Sequence, residues 1–290
     1  MIDYIKATTI YPNAERLLNS PYFDFNGEYN HKTGEVSEDK LTTHYKGLKL
    51  ILYNQKGMYK NNRFILSGSL HKFKNNNLHN ADDFSHSELV EVLNEIEDLT
   101  FIKSQEMFIN TFEYGLNIPL SKTDDFINNL FMHKTKPFSH TINDTLKGNN
   151  KICNHSQYDF KLYNKSKESR LYAPDNTMRV ELRAKGQKAR IFNNTLENLK
   201  TTDFAFYGQS LKSETDNLLY YEDVPGLTKQ ICANYSNPLY WYKLLNRKST
   251  SAFYKHKYRL NEAINNKPDN MKNQLKNMIE YKVKLLMLQS

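Results

Sequence analysis

Apolar and polar residues alternate strictly in two segments of the chain, residues 159–163 and 178–184. A period of two residues is typical of a strand that is buried on one face only. The polar faces predicted for these two strands carry one tyrosine, two carboxylates and three cations: Asp159, Lys161, Tyr163, Arg179, Glu181 and Arg183. Side chains of these types suit attack on a phosphodiester.

A third segment, residues 107–118, shows a similar alternation. Its polar face holds Glu113, whose neighbours on that face are small residues. If the three strands share one sheet, we expect Glu113, Tyr163 and Glu181 to converge over one surface.

The remaining pattern predicts strands broken by helices. Ser85 and Thr123 are suited to cap two of the helices, and the Asn26-Gly27 pair predicts a tight hairpin turn. Further strands are predicted at residues 2–10, 47–53 and 62–70. This mixture favours an α+β fold in which helices back a largely antiparallel sheet.

The pattern of apolar and polar residues becomes helical after about residue 210. A Pro-Gly break at residues 225–226 is followed by three segments with helical periodicity, up to the end of the chain. We therefore predict a catalytic domain over residues 1–210 and a helical C-terminal region over residues 211–290. Three cations on the middle helix are candidates for DNA contact, although a solvated helix face is the alternative: Lys255, Lys257 and Arg259.

The composition indicates which class of molecule the protein binds and in which cellular compartment it acts. A formal net charge of +8 over 290 residues favours a polyanionic partner. Cations interleaved with aromatic residues suit single-stranded nucleic acid, whose bases stack on rings. Cys153 and Cys232 lie far apart without a CxxC pair, which indicates a reducing cytoplasm. No signal-peptide pattern and no apolar run of about 18 residues occur, so no membrane partner is expected.

Four blocks of the sequence, in this order, resemble the gene II-type replication initiators of filamentous bacteriophages, a family within the rolling-circle initiators. The opening Met1-Ile2-Asp3 also resembles the start of that family. The four blocks are Thr43-His44-Tyr45-Lys46-Gly47-Leu48, then Gly68-Ser69-Leu70-His71-Lys72-Phe73 with Leu78-His79-Asn80, the strand of Glu113, and Tyr163-x-Lys165-x-x-Glu168 with Arg179-Val180-Glu181.

The resemblance implies an enzyme that nicks and rejoins one DNA strand at an origin. It would become attached to the 5′ phosphate through a tyrosine and leave a 3′ hydroxyl as primer. Matched position by position, Tyr163 is the nucleophile, Glu113 the strand acid, and Arg179 and Glu181 the later Arg-x-Glu pair. The implied partners are origin DNA, single-stranded at the nick, and the replication helicase and polymerase of a bacterial host, in whose cytoplasm the enzyme would act.

The chemistry assigns further roles. A tyrosine hydroxyl, with a reference pKa of about 10, is a weak nucleophile at neutral pH, so nearby cations are needed to favour the phenolate. Lys161 and Lys165 are the candidates. Carboxylates with one imidazole suit Mg²⁺ or Mn²⁺. The predicted ligands are Glu113, Glu181 and His79, the last because the resemblance matches the His79-Asn80 pair. The alternatives to His79 are His71, predicted on the polar face of the strand that begins near Arg63, and then His44. Residues 72–80 are rich in Lys and Asn and are predicted to form a loop. The predicted DNA contacts are Lys72 and Lys74 in this loop, and Arg179 and Arg183 on the strand over residues 178–184.

The sequence also departs from the family pattern. Thr111 and Phe112 replace an Arg and an apolar residue, and Glu113 stands where Asp is more common. No His-apolar-His triplet, the metal motif of other rolling-circle initiators, occurs. Two other functions remain open: a single-stranded nucleic-acid-binding regulator without catalysis, and a phosphodiesterase that uses water while Tyr163 is structural.

Overall fold

The computed structural model describes residues 1–10, 14–29, 31–53, 62–139 and 149–288, over which runs of strands are interspersed with helices. The strands are β1 (Ile2–Ile10), β2 (Asn26–Tyr29), β3 (Val36–Tyr45), β4 (Leu48–Tyr53), β5 (Arg63–Ser69), β6 (Phe108–Pro119), β7 (Leu130–His133), β8 (Lys136–Pro137), β9 (Lys151–Asn154), β10 (Tyr158–Asn164), β11 (Thr177–Lys185) and β12 (Leu218–Tyr220). The helices are α1 (Ala14–Leu18), α2 (Leu70–Lys74), α3 (His86–Thr100), α4 (Thr123–Asn128), α5 (Lys165–Glu168), α6 (Gly186–Phe192), α7 (Leu196–Thr201), α8 (Phe204–Asp216), α9 (Lys229–Tyr235), α10 (Pro238–Leu245), α11 (Ser251–Asn265) and α12 (Met271–Leu288).

The α+β class predicted from the sequence is confirmed. The pairs β2–β3, β3–β4, β4–β5, β5–β1, β1–β6 and β9–β10 are all antiparallel. The alternating segments 159–163 and 178–184 lie in β10 and β11, and the third segment is β6. Within the described residues, no helix combines the length and the apolar character that crossing a bilayer requires.

The described chain divides into two compact units. The first comprises Met1–Gly115, Leu182–Phe206 and the chain from Leu285 onwards; the second comprises Leu116–Glu181 and Tyr207–Lys284. Strands β6 and β11 therefore each contribute residues to both units.

In the first unit the strand order is β2-β3-β4-β5-β1-β6-β11. Helix α3 begins at a capping box, in which the Ser85 hydroxyl accepts from the Glu88 amide and the Glu88 carboxylate accepts from the Ser85 amide. This cap was predicted from the sequence. The helix buries a stripe at helical spacing that includes Leu89, Leu93 and Ile96.

In the second unit the order is β6-β11-β10-β9, and a smaller sheet has the order β12-β7-β8. Helices α8 and α12 approach closely because Gly208 has no side chain: a Cβ built there would lie 2.4 Å from Cγ2 of Val283. Trp241 is fully buried and its indole donates to the carbonyl of Tyr235 at 2.9 Å. The C-terminal helices thus belong to the compact unit that contains Tyr163. The end of the catalytic domain at residue 210 stays a prediction.

Several local predictions from the sequence were wrong. Strands β10 and β11 are buried on both faces rather than half-buried, with only Lys161, Arg183 and Lys185 partly exposed. Their polar side chains bond to one another, which offsets the free energy of desolvation. The Asn26-Gly27 pair lies inside β2 and forms no tight turn.

The interval after β5 also differs from the prediction of a loop over residues 72–80. The Ser69 hydroxyl accepts from the Lys72 amide at 3.0 Å and starts helix α2, so His71 lies in a helix rather than on a strand face. Helix α4 has Lys122 as its N-cap, in the left-handed region at φ 59°, and the predicted cap Thr123 is the first helical residue.

Candidate active site

Tyr163 lies near the end of β10, and its hydroxyl donates a hydrogen bond of 3.0 Å to Oε1 of Glu181 on β11. Both strands belong to the second unit at these residues. Tyr163 is only 9 % exposed and Glu181 only 2 %. The structure therefore brings the predicted nucleophile and one predicted metal ligand into direct contact.

Glu181 is surrounded by cations. Its Oε1 also accepts from Nε of Arg179, and its Oε2 lies 3.4 Å from Nζ of Lys161. The Arg179 guanidinium in turn donates to Oδ1 of Asn117 at 3.0 Å. Burial acts to raise the pKa of Glu181, but Arg179, Lys161 and Lys165 outweigh it and hold that pKa below its usual range. Glu181 is consequently an ionised carboxylate at neutral pH.

Lys165 is the first residue of α5, a short helix capped by Asn164, whose side chain accepts from the Lys167 amide. The Lys165 side chain is fully buried; its Nζ lies 2.6 Å from Oε2 of Glu168 and 5.8 Å from the centre of the Tyr163 ring. Burial and then the charge of Arg179 lower the pKa of Lys165. The Lys165 amine therefore lies beside the phenol ring, and its role in activating Tyr163 stays a prediction.

Glu113 lies on β6 in the part of that strand that belongs to the first unit. It is buried, and its Oε2 accepts from Nε of Arg183 at 2.7 Å. A carboxylate oxygen of Asp3 lies within 4.8 Å of one from Glu113. Because carboxylate oxygens are hard donors, this pair fits Mg²⁺ or Mn²⁺. The convergence of Glu113 with Tyr163 and Glu181 stays a prediction.

Sequence reasoning gave Asp3 no role. The structure shows it buried, with hydrogen bonds to its two oxygens from the Ser69 hydroxyl and, at 2.6 Å, from the Asn80 amide. Its one sequence signal was its place in the opening Met1-Ile2-Asp3 that resembles the initiator family.

The predicted imidazole ligands lie in a separate cluster of the first unit. Nδ1 of His79 is 3.5 Å from Oδ1 of Asp82, and Nε2 of His71 is 2.6 Å from the same oxygen. Lys74 is paired with Asp82 at 3.2 Å and with Glu88 at 2.7 Å. Over the part of the chain that the structure describes, His79 joins no set of three ligand side chains within reach of one ion. Its role as a metal ligand stays a prediction.

The predicted DNA-binding cations differ in exposure. Arg179 is buried, and Lys72 and Lys257 are partly exposed. Lys255 and Arg259 are exposed on α11, four residues apart and so on one face of the helix.

This α11 surface also carries aromatic rings. Tyr254 and Tyr258 are exposed beside Lys255 and Arg259, which is the combination that suits single-stranded DNA.

A second group of ligand side chains was missed by the sequence analysis: His133, Cys153 and His155. The signal that could have found it is the Cys153-x-His155 spacing, which places two ligands on one side of an extended segment. His133 is 20 residues earlier in the chain and gives no local signal.

Comparison with known proteins identifies no family. No protein-family model matches the chain, and no curated protein matches its sequence. A solved structure that is similar to this chain is the rolling circle replication initiator protein from Geobacillus stearothermophilus, with 11% sequence identity over 79% of this chain and 89% of that chain and a TM-score of 0.41. These values are too low to assign a fold or an activity.

Proposed function

We propose that the protein is a rolling-circle replication initiator that nicks and rejoins one DNA strand through a covalent phosphotyrosine at Tyr163. The observation that carries the proposal is the hydrogen bond from Tyr163 to Glu181 inside a buried cluster of cations. The resemblance of four sequence blocks to the gene II-type initiators supports the same assignment.

The proposed step is an in-line displacement at phosphorus. A bond forms between the Tyr163 phenol oxygen and the phosphorus, and the bond from phosphorus to the 3′ oxygen breaks. The phenol proton passes to water from its hydrogen bond with Glu181, which stays ionised, and the 3′ oxygen takes up one proton from water, so the protons balance. Lys161, Lys165 and Arg179 offset the negative charge that develops on the phosphoryl oxygens. Rejoining is the same step in reverse.

Divalent metal is part of the proposal because the acidic side chains fit it. Glu113 and Asp3 would supply carboxylate oxygens, and Glu181 is the further ligand that the sequence predicts. His79 would act on the metal site indirectly, through hydrogen bonds that orient the residues around it. When bound, Mg²⁺ or Mn²⁺ withdraws negative charge from the scissile phosphate.

The remaining cations divide into two roles under this proposal. Lys72, Lys255, Lys257 and Arg259 would contact phosphates of the origin DNA. We assign Lys74 and Arg179, whose side chains contact carboxylates, to holding the fold and the site. A host replication helicase and polymerase would act on the displaced strand and on the 3′ hydroxyl, in the cytoplasm.

A second candidate function is favoured by one observation, the burial of Tyr163, which suits a structural tyrosine. The enzyme would then be a phosphodiesterase that uses water. Both can be tested by incubating the protein with single-stranded DNA and Mg²⁺ or Mn²⁺ and searching for an SDS-resistant adduct. An adduct that maps to Tyr163 supports the initiator. Cleavage without an adduct supports the use of water, and DNA binding without cleavage supports a non-enzymatic regulator.

A further inference from the structure

Two histidines and a cysteine meet in the second unit. His133 ends β7, Cys153 lies on β9, and His155 follows β9 directly. Nδ1 of His133 is 2.8 Å from Nε2 of His155, and Sγ of Cys153 is 3.4 Å from the same nitrogen. His133 and Cys153 are fully buried, whereas His155 is partly exposed. The group is therefore enclosed on one side and accessible to solution through His155.

The other nitrogen of His133 has its own partner. Its Nε2 lies 3.1 Å from the carbonyl oxygen of Glu214 and 3.1 Å from Oε2 of the same residue. Both partners are acceptors, so Nε2 carries the proton and donates, which leaves a lone pair on Nδ1 toward Cys153 and His155. A carboxylate that fixes a histidine in this way is typical of metal ligands.

Glu214 is itself held in place. Its Oε2 lies 3.1 Å from Nζ of Lys134 and accepts from the Tyr158 hydroxyl at 3.2 Å. The Tyr158 ring stacks on His155, with ring centres 4.5 Å apart and planes inclined by 13°. The surrounding contacts therefore orient both imidazoles of the group.

The spacing of the ligand atoms can be compared with a tetrahedral site. Zn²⁺ bonds of about 2.0–2.1 Å to nitrogen and about 2.3 Å to sulfur place two nitrogens about 3.3 Å apart and a nitrogen and a sulfur about 3.5 Å apart. The distance from Cys153 to His155 already agrees. The two histidine nitrogens, at 2.8 Å, would separate by about half an ångström when the ion replaces the proton between them.

We propose that His133, Cys153 and His155 bind one Zn²⁺ ion, with a fourth position left for water. Two imidazoles and a thiolate favour a borderline-soft cation over Mg²⁺, which prefers oxygen ligands. The ion would tie β7 of the small sheet to β9, the end strand of the sheet in the order β6-β11-β10-β9. Since β9 pairs with β10, the site would stabilise the strand that carries Tyr163.

The test uses the full-length protein, stripped of metal by a chelator and then titrated with Co²⁺ as a spectroscopic probe. We expect thiolate-to-Co²⁺ charge-transfer absorption that saturates at one equivalent and is abolished by Zn²⁺. Carboxylate sites give no such band, so the proposed catalytic metal does not contribute. We also expect Zn²⁺ to raise the melting temperature, because an ion bound only by the folded state stabilises it.

Variants assign the ligands. His155→Gln and Cys153→Ser should each abolish the charge-transfer band, whereas Cys232→Ser, which removes the other cysteine, should retain it. Glu214→Gln should weaken Zn²⁺ binding about 10–100-fold, because it acts through His133. If Cys153→Ser fails to fold, the test rests on His155→Gln, because the His155 side chain is partly exposed and its replacement should not disturb the fold. Absence of the band in the wild type, or its persistence in His155→Gln, would overturn the proposal.

Discussion

Replacing Tyr163 by phenylalanine removes one hydroxyl and keeps the shape of the ring. The loss is the hydrogen bond of 3.0 Å to Glu181, and a bond to a charged group contributes about 1.5–3 kcal/mol to stability. Glu181 keeps its contacts with Arg179 and Lys161, so no buried charge is left without a partner. We therefore expect the free energy of unfolding to fall by about 1.5 kcal/mol, the lower end of this range. The melting temperature should fall by about 3–6 °C.

The effect on chemistry should be far larger than the effect on stability. Without the phenol oxygen no phosphotyrosine can form, so nicking should fall by at least about a thousand-fold. DNA affinity should change only a few-fold. The assay is a labelled single-stranded oligonucleotide with Mg²⁺ or Mn²⁺, resolved by denaturing gel for the nick and for the SDS-resistant adduct.

Tyr158→Phe is the matched control. Tyr158 lies on the same strand and also donates from a buried hydroxyl to a carboxylate, that of Glu214. The control should lose a similar amount of stability and still form the adduct. If instead Tyr163→Phe nicks at the wild-type rate, the nucleophile lies elsewhere, and Tyr158 and Tyr172 become the residues to examine.

Further predictions concern the metal, acid stability, the C-terminal helices and DNA affinity. Glu113→Gln should lower the nicking rate at least about tenfold and raise the Mg²⁺ or Mn²⁺ concentration required; an unchanged metal titration would remove this residue from the site. Burial acts to raise the pKa of Glu97, but hydrogen bonds from a lysine and a serine outweigh it and lower that pKa from 4.5 to about 2. Its contribution to stability is therefore fully present above pH 4.5 and is lost as the pH falls towards 2, so urea unfolding of Glu97→Gln should show a weaker loss of stability over this range. A chain truncated after Gly208 tests the predicted boundary at residue 210. It should not fold, by circular dichroism, because residues 207–284 belong to the same unit as the nucleophile; a soluble and active truncation would instead support a catalytic domain that ends there. Lys255→Gln with Arg259→Gln should weaken binding to single-stranded DNA and reduce the slope of log affinity against log salt by about 0.7 for each lost phosphate contact, leaving the adduct yield at saturating DNA unchanged.

The elements that the sequence predicted well carry local signals. Strands β6, β10 and β11 follow from the alternation of apolar and polar residues, because side chains of a strand point to opposite faces. The start of α3 follows from Ser85 and Glu88, since a capping box is formed by residues three apart. In both cases the interacting groups are near neighbours along the chain.

The burial of β10 and β11 and the role of Asp3 were not predicted, because they depend on partners that are distant along the chain. Alternation shows that Arg179 and Glu181 share a face, but it does not show that the face is covered. The partner that satisfies Arg179 is Asn117, 62 residues earlier. Asp3 and Glu113 approach each other across more than 100 residues, and no short pattern encodes that pairing.

The burial of Arg179 changes the physical interpretation of the Arg-x-Glu pair. The guanidinium neutralises Glu181 and bonds to Asn117, so it keeps the carboxylate ionised and oriented toward Tyr163. Under the proposed function, the cations around Glu181 would face the scissile phosphate beside the phenol oxygen. They would stabilise the transition state more than the ground state, because the negative charge on the phosphoryl oxygens increases as the reaction proceeds.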